Sequence, residues 1–412
     1  MEDNSITLAK EQTPKTRKIA LGDSIIIAAV TLVIGVVIGI NWNSFVGGIA
    51  PYLGFKTKSS ADSVDWSPLD EVYTTLSLYY DGEIDKSKLV EGAKAGLVAS
   101  LGDKYTVYMT ATENADFQNS LHGEVGSGVG IVMAERDGYI RVVRTLPDNP
   151  ARKAGILAGD ILYRVNDEDV YAMTAEEIAN KVRGPEGSEV KVTVVRDNQE
   201  KTFTMKRENI NNVSADLTYL DTDKDGKNDT AYILTTRFDT DTGTKVREFA
   251  QFFSRDGIKK VILDLRDNGG GYTSAAKDLL GLWIDGDIVY TQKTGGSSQN
   301  FYAARSQAIL GSMKTIVLVN EATASASEIV AGALKDYGKA TIVGTSTYGK
   351  GVVQSLIDLS NNSLLKVTSA HWYTPKGSSI DQTGITPDVE VKRSYDDINS
   401  NKDPQLDKAK SL

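Results

Sequence analysis

Between Thr315 and Gln354 the chain reads TIVLVNEATASASEIVAGALKDYGKATIVGTSTYGKGVVQ, and the order of patterns in this stretch leaves few folds open. The apolar run Thr315 to Val319 predicts a strand. Small residues follow, and then Ile329, Ala333 and Tyr337 recur at helical spacing as far as Gly338, the residue type expected just past a helix C-terminus. A second β-branched run, Thr341 to Val343, leads into a Gly/Ser/Thr-rich loop carrying Lys350, and VVQSLIDL then predicts another strand. Strand, tight connection, helix and strand belong to an α/β layer.

Hydroxyls at the mouth of a helix, with one lysine after the neighbouring strand, point to a nucleophile and its base. Ser325 has a second reading, because Ser325-Ala-Ser-Glu328 matches the capping box that satisfies orphan helix N–H groups. Thr323 and Ser327 rival Ser325 as cap and as nucleophile. Gly344 to Lys350 spells all but the last position of a phosphate-cradling loop, but Gly351 stands where a magnesium-holding hydroxyl is needed. A strand pattern, not a helix, follows it, so nucleotide binding is not expected.

A length of 412 residues implies two or three domains with apolar material for real cores. The net charge of −9 and the lack of any basic cluster with interleaved aromatics argue against a nucleic-acid partner. With no cysteine, disulfides and thiolate chemistry are excluded.

From Ser24 to Phe55 there is no charged residue, and Ile25 to Ile40 is almost wholly aliphatic. This predicts a transmembrane signal anchor over 24–46, since about 20 apolar residues cross a bilayer. Lys10, Lys15, Arg17 and Lys18 precede it, which puts residues 1–23 in the cytoplasm and the remainder outside. The competing signal-peptide reading is disfavoured by the long apolar region and by Pro51 directly after the small-x-small site Gly48-Ile-Ala50. A tether over 47–66 and a small helical subdomain over 67–121 come next. Leu69, Val72, Tyr73 and Leu76 mark one of its apolar faces, and Leu89, Ala93, Leu97 and Leu101 the other.

Residues 122–208 change period. Val129, Ile131 and Met133 alternate with small or polar residues, as do Val190, Val192 and Val194, and Thr174-Ala-Glu-Glu177 is a capping box opening a short helix. This unit resembles a PDZ domain. Gly128, Val129, Gly130 and Ile131 match the loop that receives a peptide's C-terminal carboxylate, and Ala154-Gly-Ile156 with Gly159-Asp-Ile-Leu162 matches the core turn. The resemblance implies β-augmentation, in which an extended peptide adds to a strand edge beside the helix. Arg183, just beyond that helix, is a loop charge or a polar bridge to the next domain, an inter-domain sensor.

Residues 209–392 form the third unit, with a polar tail at 393–412. Asp221 to Asp229 imitates the start of an EF-hand loop, but Tyr232 occupies the place of the bidentate carboxylate, so a polar hairpin tip is expected. Lys260 to Leu265 predicts a buried strand. Gly269, Gly270 and Gly271 follow it, and such a run lets backbone approach an oxyanion, a phosphate or a packed helix.

Taken together, Leu101–Met109, Asp264–Gly271, Thr323–Ile329, Tyr348–Gln354 and Tyr373–Asp388 resemble the carboxy-terminal processing peptidases, also called tail-specific proteases. The similarity spans roughly Leu69 to Val391. It implies an α/β protease core like the ClpP/crotonase fold, behind the β-rich PDZ domain and the helical subdomain. It also implies a Ser/Lys dyad of Ser325 and Lys350, with Gln354 orienting the amine. Lys104 stands where proline is commoner in the family, in a block read as structural. On a strand, positions 350, 352 and 354 share a face, consistent with that orienting role. Burial would keep the lysine uncharged. Ala326 with Gly270 or Gly271 would supply the oxyanion N–H donors.

The implied activity is a membrane-anchored, extracytoplasmic serine endopeptidase acting on proteins with free, apolar C-termini. No cofactor or metal is called for, and a homodimer is left open. The alternative is a PDZ scaffold with an inactive protease-like core. A crotonase-type acyl-CoA enzyme would leave the PDZ domain and the outside location unexplained. A histidine base would have to be His122 or His371, each expected to be an ordinary surface or strand residue.

Overall fold

The computed structural model describes residues 64–136, 138–400 and 402–412. The expected anchor over 24–46 and nearly all of the tether lie outside the described residues. Among those described, no helix is long and apolar enough to cross a membrane.

The chain divides into two units, 1–85 and 86–412. In the first, Ser67–Tyr79 forms a helix with Pro68 in its opening turn, where the missing N–H costs nothing. Its apolar positions Leu69, Val72 and Leu76 are exposed.

The second unit begins with the helix Lys86–Ala99. The expected helical subdomain is not purely helical. Val107–Met109 is a short strand that pairs antiparallel with Leu364–Tyr373, tying this region into a sheet of the third unit read from the sequence. Thr110 and Glu113 then form a capping box opening the helix Ala111–His122.

The PDZ region folds as predicted from its alternating pattern. Its sheet runs in the order Ile131–Arg136, Tyr139–Thr145, Ile161–Val165, Glu189–Arg196 and Gln199–Lys206, with Glu168–Asp169 paired to the third strand. Val190, Val192 and Val194 point into its core with Val142, Leu162 and Ile178. The Thr174–Glu177 box opens the helix Ala175–Val182. At the core turn, the buried carboxylate of Asp160 accepts Leu157 N–H at 2.9 Å and pairs with Arg196 Nε at 2.6 Å. Chain entry and exit, Glu124–Gly128 and Glu208–Asn211, pair with each other as a two-stranded ribbon.

That third unit is built on a six-stranded sheet ordered Ala215–Leu220, Thr230–Thr235, Lys260–Asp264, Lys314–Val319, Thr341–Gly344 and Val389–Glu390. The first pair is antiparallel and every later one parallel. Lys260–Asp264 is buried at all five positions, as a parallel strand covered on both faces must be. Val261, Leu263, Val317 and Val319 face the helices Thr242–Ala250, Thr273–Leu280 and Ala326–Asp336.

Ile262, Ile316, Leu318 and Val343 face the other way, against Ala409 and Leu406. The tail expected to be merely polar therefore carries a helix, Pro404–Ser411, that covers this face. Its docking is fixed by the buried Arg266, whose Nη1 donates to Asp403 Oδ1 (2.8 Å) and Gln405 Oε1 (3.0 Å). A second sheet, holding Val352–Asp358, Leu364–Tyr373, Ile288–Thr294, Ser297–Tyr302 and Val107–Met109, flanks the main one. Asp221, Asp223 and Asp225 sit exposed on the hairpin between the first two core strands, their carboxylate oxygens within 4.8 Å of one another.

Candidate active site

Ser325 ends the turn that follows the strand Lys314–Val319 and precedes the helix Ala326–Asp336. Its backbone adopts φ 56°, ψ −119°, a conformation that a residue with a side chain avoids. Such geometry costs on the order of 1–3 kcal/mol and persists only where the surroundings enforce it. Ser325 N–H is donated to Glu328 Oε2 (2.8 Å), and Glu328 N–H to the Ser325 carbonyl (2.8 Å). Ser325 thus stands at the N-cap, paired with Glu328 in the expected capping box.

The rival hydroxyls are occupied. Thr323 Oγ1 donates to Leu265 O (2.8 Å) and Ser327 Oγ to Asn268 O (2.9 Å), and both residues are fully buried. Ser325 instead lines a cavity of about 360 Å³ together with Lys350, Gln354, Gly269 and Gly271. Phe117, Leu121, Ile329 and Leu356 give it apolar walls.

Lys350 lies just before the strand Val352–Asp358. Its Nζ donates to Gln354 Oε1 at 2.8 Å, and Gln354 Nε2 donates to the Tyr105 carbonyl. The contact expected between 350 and 354 is made, but across a bulge between Val353 and Gln354 instead of along a flat strand face. Tyr105 is the contribution of the block read as structural, and its ring also lies 5.3 Å from Lys350 Nζ. No carboxylate comes within ion-pair distance of Nζ among the described residues. Burial pushes the amine below the usual lysine range, the nearby Lys366 pushes the same way, and Glu328 opposes.

Glu328 is the residue whose larger role local pattern misses. It reads as half of a capping box, yet its fully buried carboxylate collects four hydrogen bonds. Oε2 accepts Ser325 N–H and Lys350 N–H (3.0 Å), and Oε1 accepts Thr347 Oγ1–H (2.5 Å) and Gly349 N–H (2.7 Å). The only sequence signal is the S-x-x-E spacing, which says nothing of the loop 21 to 22 residues downstream.

The glycine run approaches the serine turn closely. A Cβ on Gly270 would fall 2.8 Å from Ser325 Cβ and 3.0 Å from Ala326 N, so only glycine fits. One expectation is corrected here. Gly270 N–H is donated to Asn268 Oδ1 (2.9 Å) and is not a free donor. Gly271 lines the cavity, and Ala326 stands at the first helical position, where N–H groups lack intrahelical acceptors. His122 and His371 are exposed and do not line this cavity.

In the PDZ domain, Gly128 and Val129 lead through Gly130, at φ 77°, into Ile131–Arg136. Val129 and Gly130 spend their carbonyls on Ala151 N–H and Leu146 N–H. Ile131–Arg136 is an edge strand, and the helix Ala175–Val182 packs beside it. Arg183 is exposed and donates to Asn180 Oδ1 (3.1 Å) within its own domain. A cation that does reach from the PDZ domain to the core is Arg144, whose Nη1 donates to Asp267 O (3.4 Å).

Comparison with known proteins agrees with this architecture. The Peptidase family S41 profile matches residues 229–391, the PDZ domain profile residues 141–196, and the activating protease CtpB N-terminal domain residues 51–113. A protein of Staphylococcus aureus named as a CtpA-like serine protease is 33% identical over 375 residues, covering 90% of this chain and 71% of its own length. Its counterpart from Staphylococcus epidermidis is 34% identical, covering 80% of this chain and 66% of its own. Among solved structures, the photosystem II D1 C-terminal processing protease superposes over 80% of this chain and 87% of its own, with a TM-score of 0.57 and 27% identity. The chain thus belongs to peptidase family S41, as a serine protease with a PDZ domain ahead of its protease core.

Proposed function

We propose that this protease is anchored in the membrane by residues 24–46 and works outside the cytoplasm, cleaving proteins that present a free, apolar C-terminus. The relative named for D1 C-terminal processing supports the substrate class, and the open edge Ile131–Arg136 supports capture by β-augmentation at Gly128–Ile131. The charge-free stretch from Ser24 to Phe55, behind Lys10, Lys15, Arg17 and Lys18, supports the anchor and its orientation.

Chemistry proceeds on Ser325. Lys350 Nζ, as the free amine, takes the Oγ proton while Oγ bonds to the scissile carbonyl carbon. The N–H groups of Ala326 and Gly271 receive the oxyanion. Collapse breaks the C–N bond, Lys350 returns the proton to the departing amine, and the acyl group stays on Oγ. Water, deprotonated by the same amine, then hydrolyses the ester and restores the hydroxyl. One observation carries this reading: Thr323 and Ser327 donate their hydroxyls to buried carbonyls, whereas Ser325 lines a cavity shared with Lys350.

The test incubates the chain lacking residues 1–46 with a protein ending in an apolar tail, beside Ser325→Ala and Lys350→Ala. Cleavage by the parent alone is expected. Cleavage by all three would overturn the dyad, and binding without cleavage by any would favour a scaffold.

A further inference from the structure

The cavity around the dyad holds a second lysine. Lys366 lies on the strand Leu364–Tyr373, directly opposite Leu356 in the pairing with Val352–Asp358, and Gln354 is two residues from that partner. Lys366 and Leu356 both line the cavity that contains Ser325 and Lys350. The Lys366 ammonium stands 5.5 Å from the centre of the Phe117 ring, which favours the charged form against the burial that pushes this amine, too, below the usual lysine range. Among the described residues no carboxylate pairs with it.

Two amines sharing one partly apolar cavity cannot both carry a proton cheaply, because among the described residues neither has a carboxylate within ion-pair distance to offset the loss of water. The surroundings decide which one yields. Around Lys350 stand the Gln354 amide, the Tyr105 ring and carbonyl, and Glu328, whose carboxylate is already spent on four other donors. Tyr105 is itself kept neutral by burial, and Lys104 packs on its ring. Around Lys366 stand Phe117 from the helix Ala111–His122, Val107 from the adjoining strand and Leu356. Burial pushes both amines below the usual lysine range. Lys350, held by the Gln354 amide in the cavity beside Ser325, stands next to another cation and gives up its proton more readily for it.

We propose that Lys366 is a positioning residue of the dyad, its ammonium acting through Lys350 to hold that amine free of a proton and ready to receive the one on Ser325. This rests on the Ser325/Lys350 assignment made above. The test is kcat/KM against pH for cleavage of the apolar-tailed protein by the parent, Lys366→Gln, Lys366→Met, Lys366→Arg and Lys350→Ala.

In either neutral variant the acidic limb is expected to move up by about one pH unit, with roughly tenfold loss at neutral pH and recovery in alkali. Arginine, which keeps the charge, is expected to leave the limb in place. An unmoved limb in the neutral variants, or a loss that alkali does not recover, with Lys350→Ala inactive, overturns the role of Lys366 alone. Persistent cleavage by Lys350→Ala overturns the dyad and this proposal together.

Discussion

The backbone N–H of Lys350 is donated to Glu328 Oε2 at 3.0 Å, so a carboxylate inside the serine's own helix holds the loop that carries the lysine. The same oxygen accepts Ser325 N–H, making Glu328 a single buried clasp between the Ser325 turn and the Lys350 loop.

Glu328→Gln tests that clasp. A glutamine presents N–H groups to donors that need an acceptor, and hydrogen bonds to a buried charge contribute about 1.5–3 kcal/mol each. We expect a clear drop in melting temperature and a fall in kcat/KM of about a hundredfold, since a displacement near 1 Å costs on that order. Thermal unfolding and steady-state kinetics check both. Unchanged kinetics in a folded variant would refute the clasp.

Gln354→Glu places a carboxylate where Lys350 Nζ now meets a neutral amide oxygen. A carboxylate favours the ammonium, so the base requires higher pH before it is free. The acidic limb of kcat/KM is expected to move to higher pH in Gln354→Glu. Gln354→Ala should lower the rate at every pH, without that shift.

Thr323→Val and Ser327→Ala remove hydroxyls that satisfy buried carbonyls of Leu265 and Asn268. Each is expected to lose about 1–3 kcal/mol of stability yet retain cleavage at temperatures where it is folded. Mass spectrometry after treatment with an acylating serine reagent should find the adduct on Ser325 in the parent and in both variants. Labelling at 323 or 327 would contradict the assignment.

Asp403 links pH to the docking of the C-terminal helix. Burial alone would raise its pKa, but the Arg266 hydrogen bond and charge outweigh burial and hold the carboxyl below its usual 3.8. A depressed carboxyl contributes stability that is present at neutral pH and is lost as pH falls below about 3.8. Asp403→Asn is expected to lower the melting temperature at pH 7. The gap to the parent should close as both are acidified through that range. A gap that stays constant would place the effect elsewhere.

Short-range pattern explains which elements the sequence reveals. Lys260 to Leu265 and Thr315 to Val319 read as strands because every residue is apolar or tolerates burial, and both sit inside the parallel sheet. The PDZ valines alternate because one sheet face is buried, and Thr174 and Glu177 announce a helix start by spacing alone. Patterns of this kind could not disclose Val107–Met109, whose partner lies some 250 residues away. Nor could they show that the polar residues 404–411 include Leu406 and Ala409 facing a sheet.

The amino-acid order by itself determined the helix mouth with its hydroxyls, the glycine run without side chains, and a lysine in a stretch poor in acids. These are properties of neighbours along the chain. Only the tertiary structure showed the Thr323 and Ser327 hydroxyls spent on buried carbonyls, withdrew Gly270 as a donor, and gathered Gln354, Tyr105, Glu328 and Lys366 around one amine. The physical reason is that hydrogen bonds and burial act through space, so a side chain's role depends on which distant groups the fold brings within about 3 Å of it.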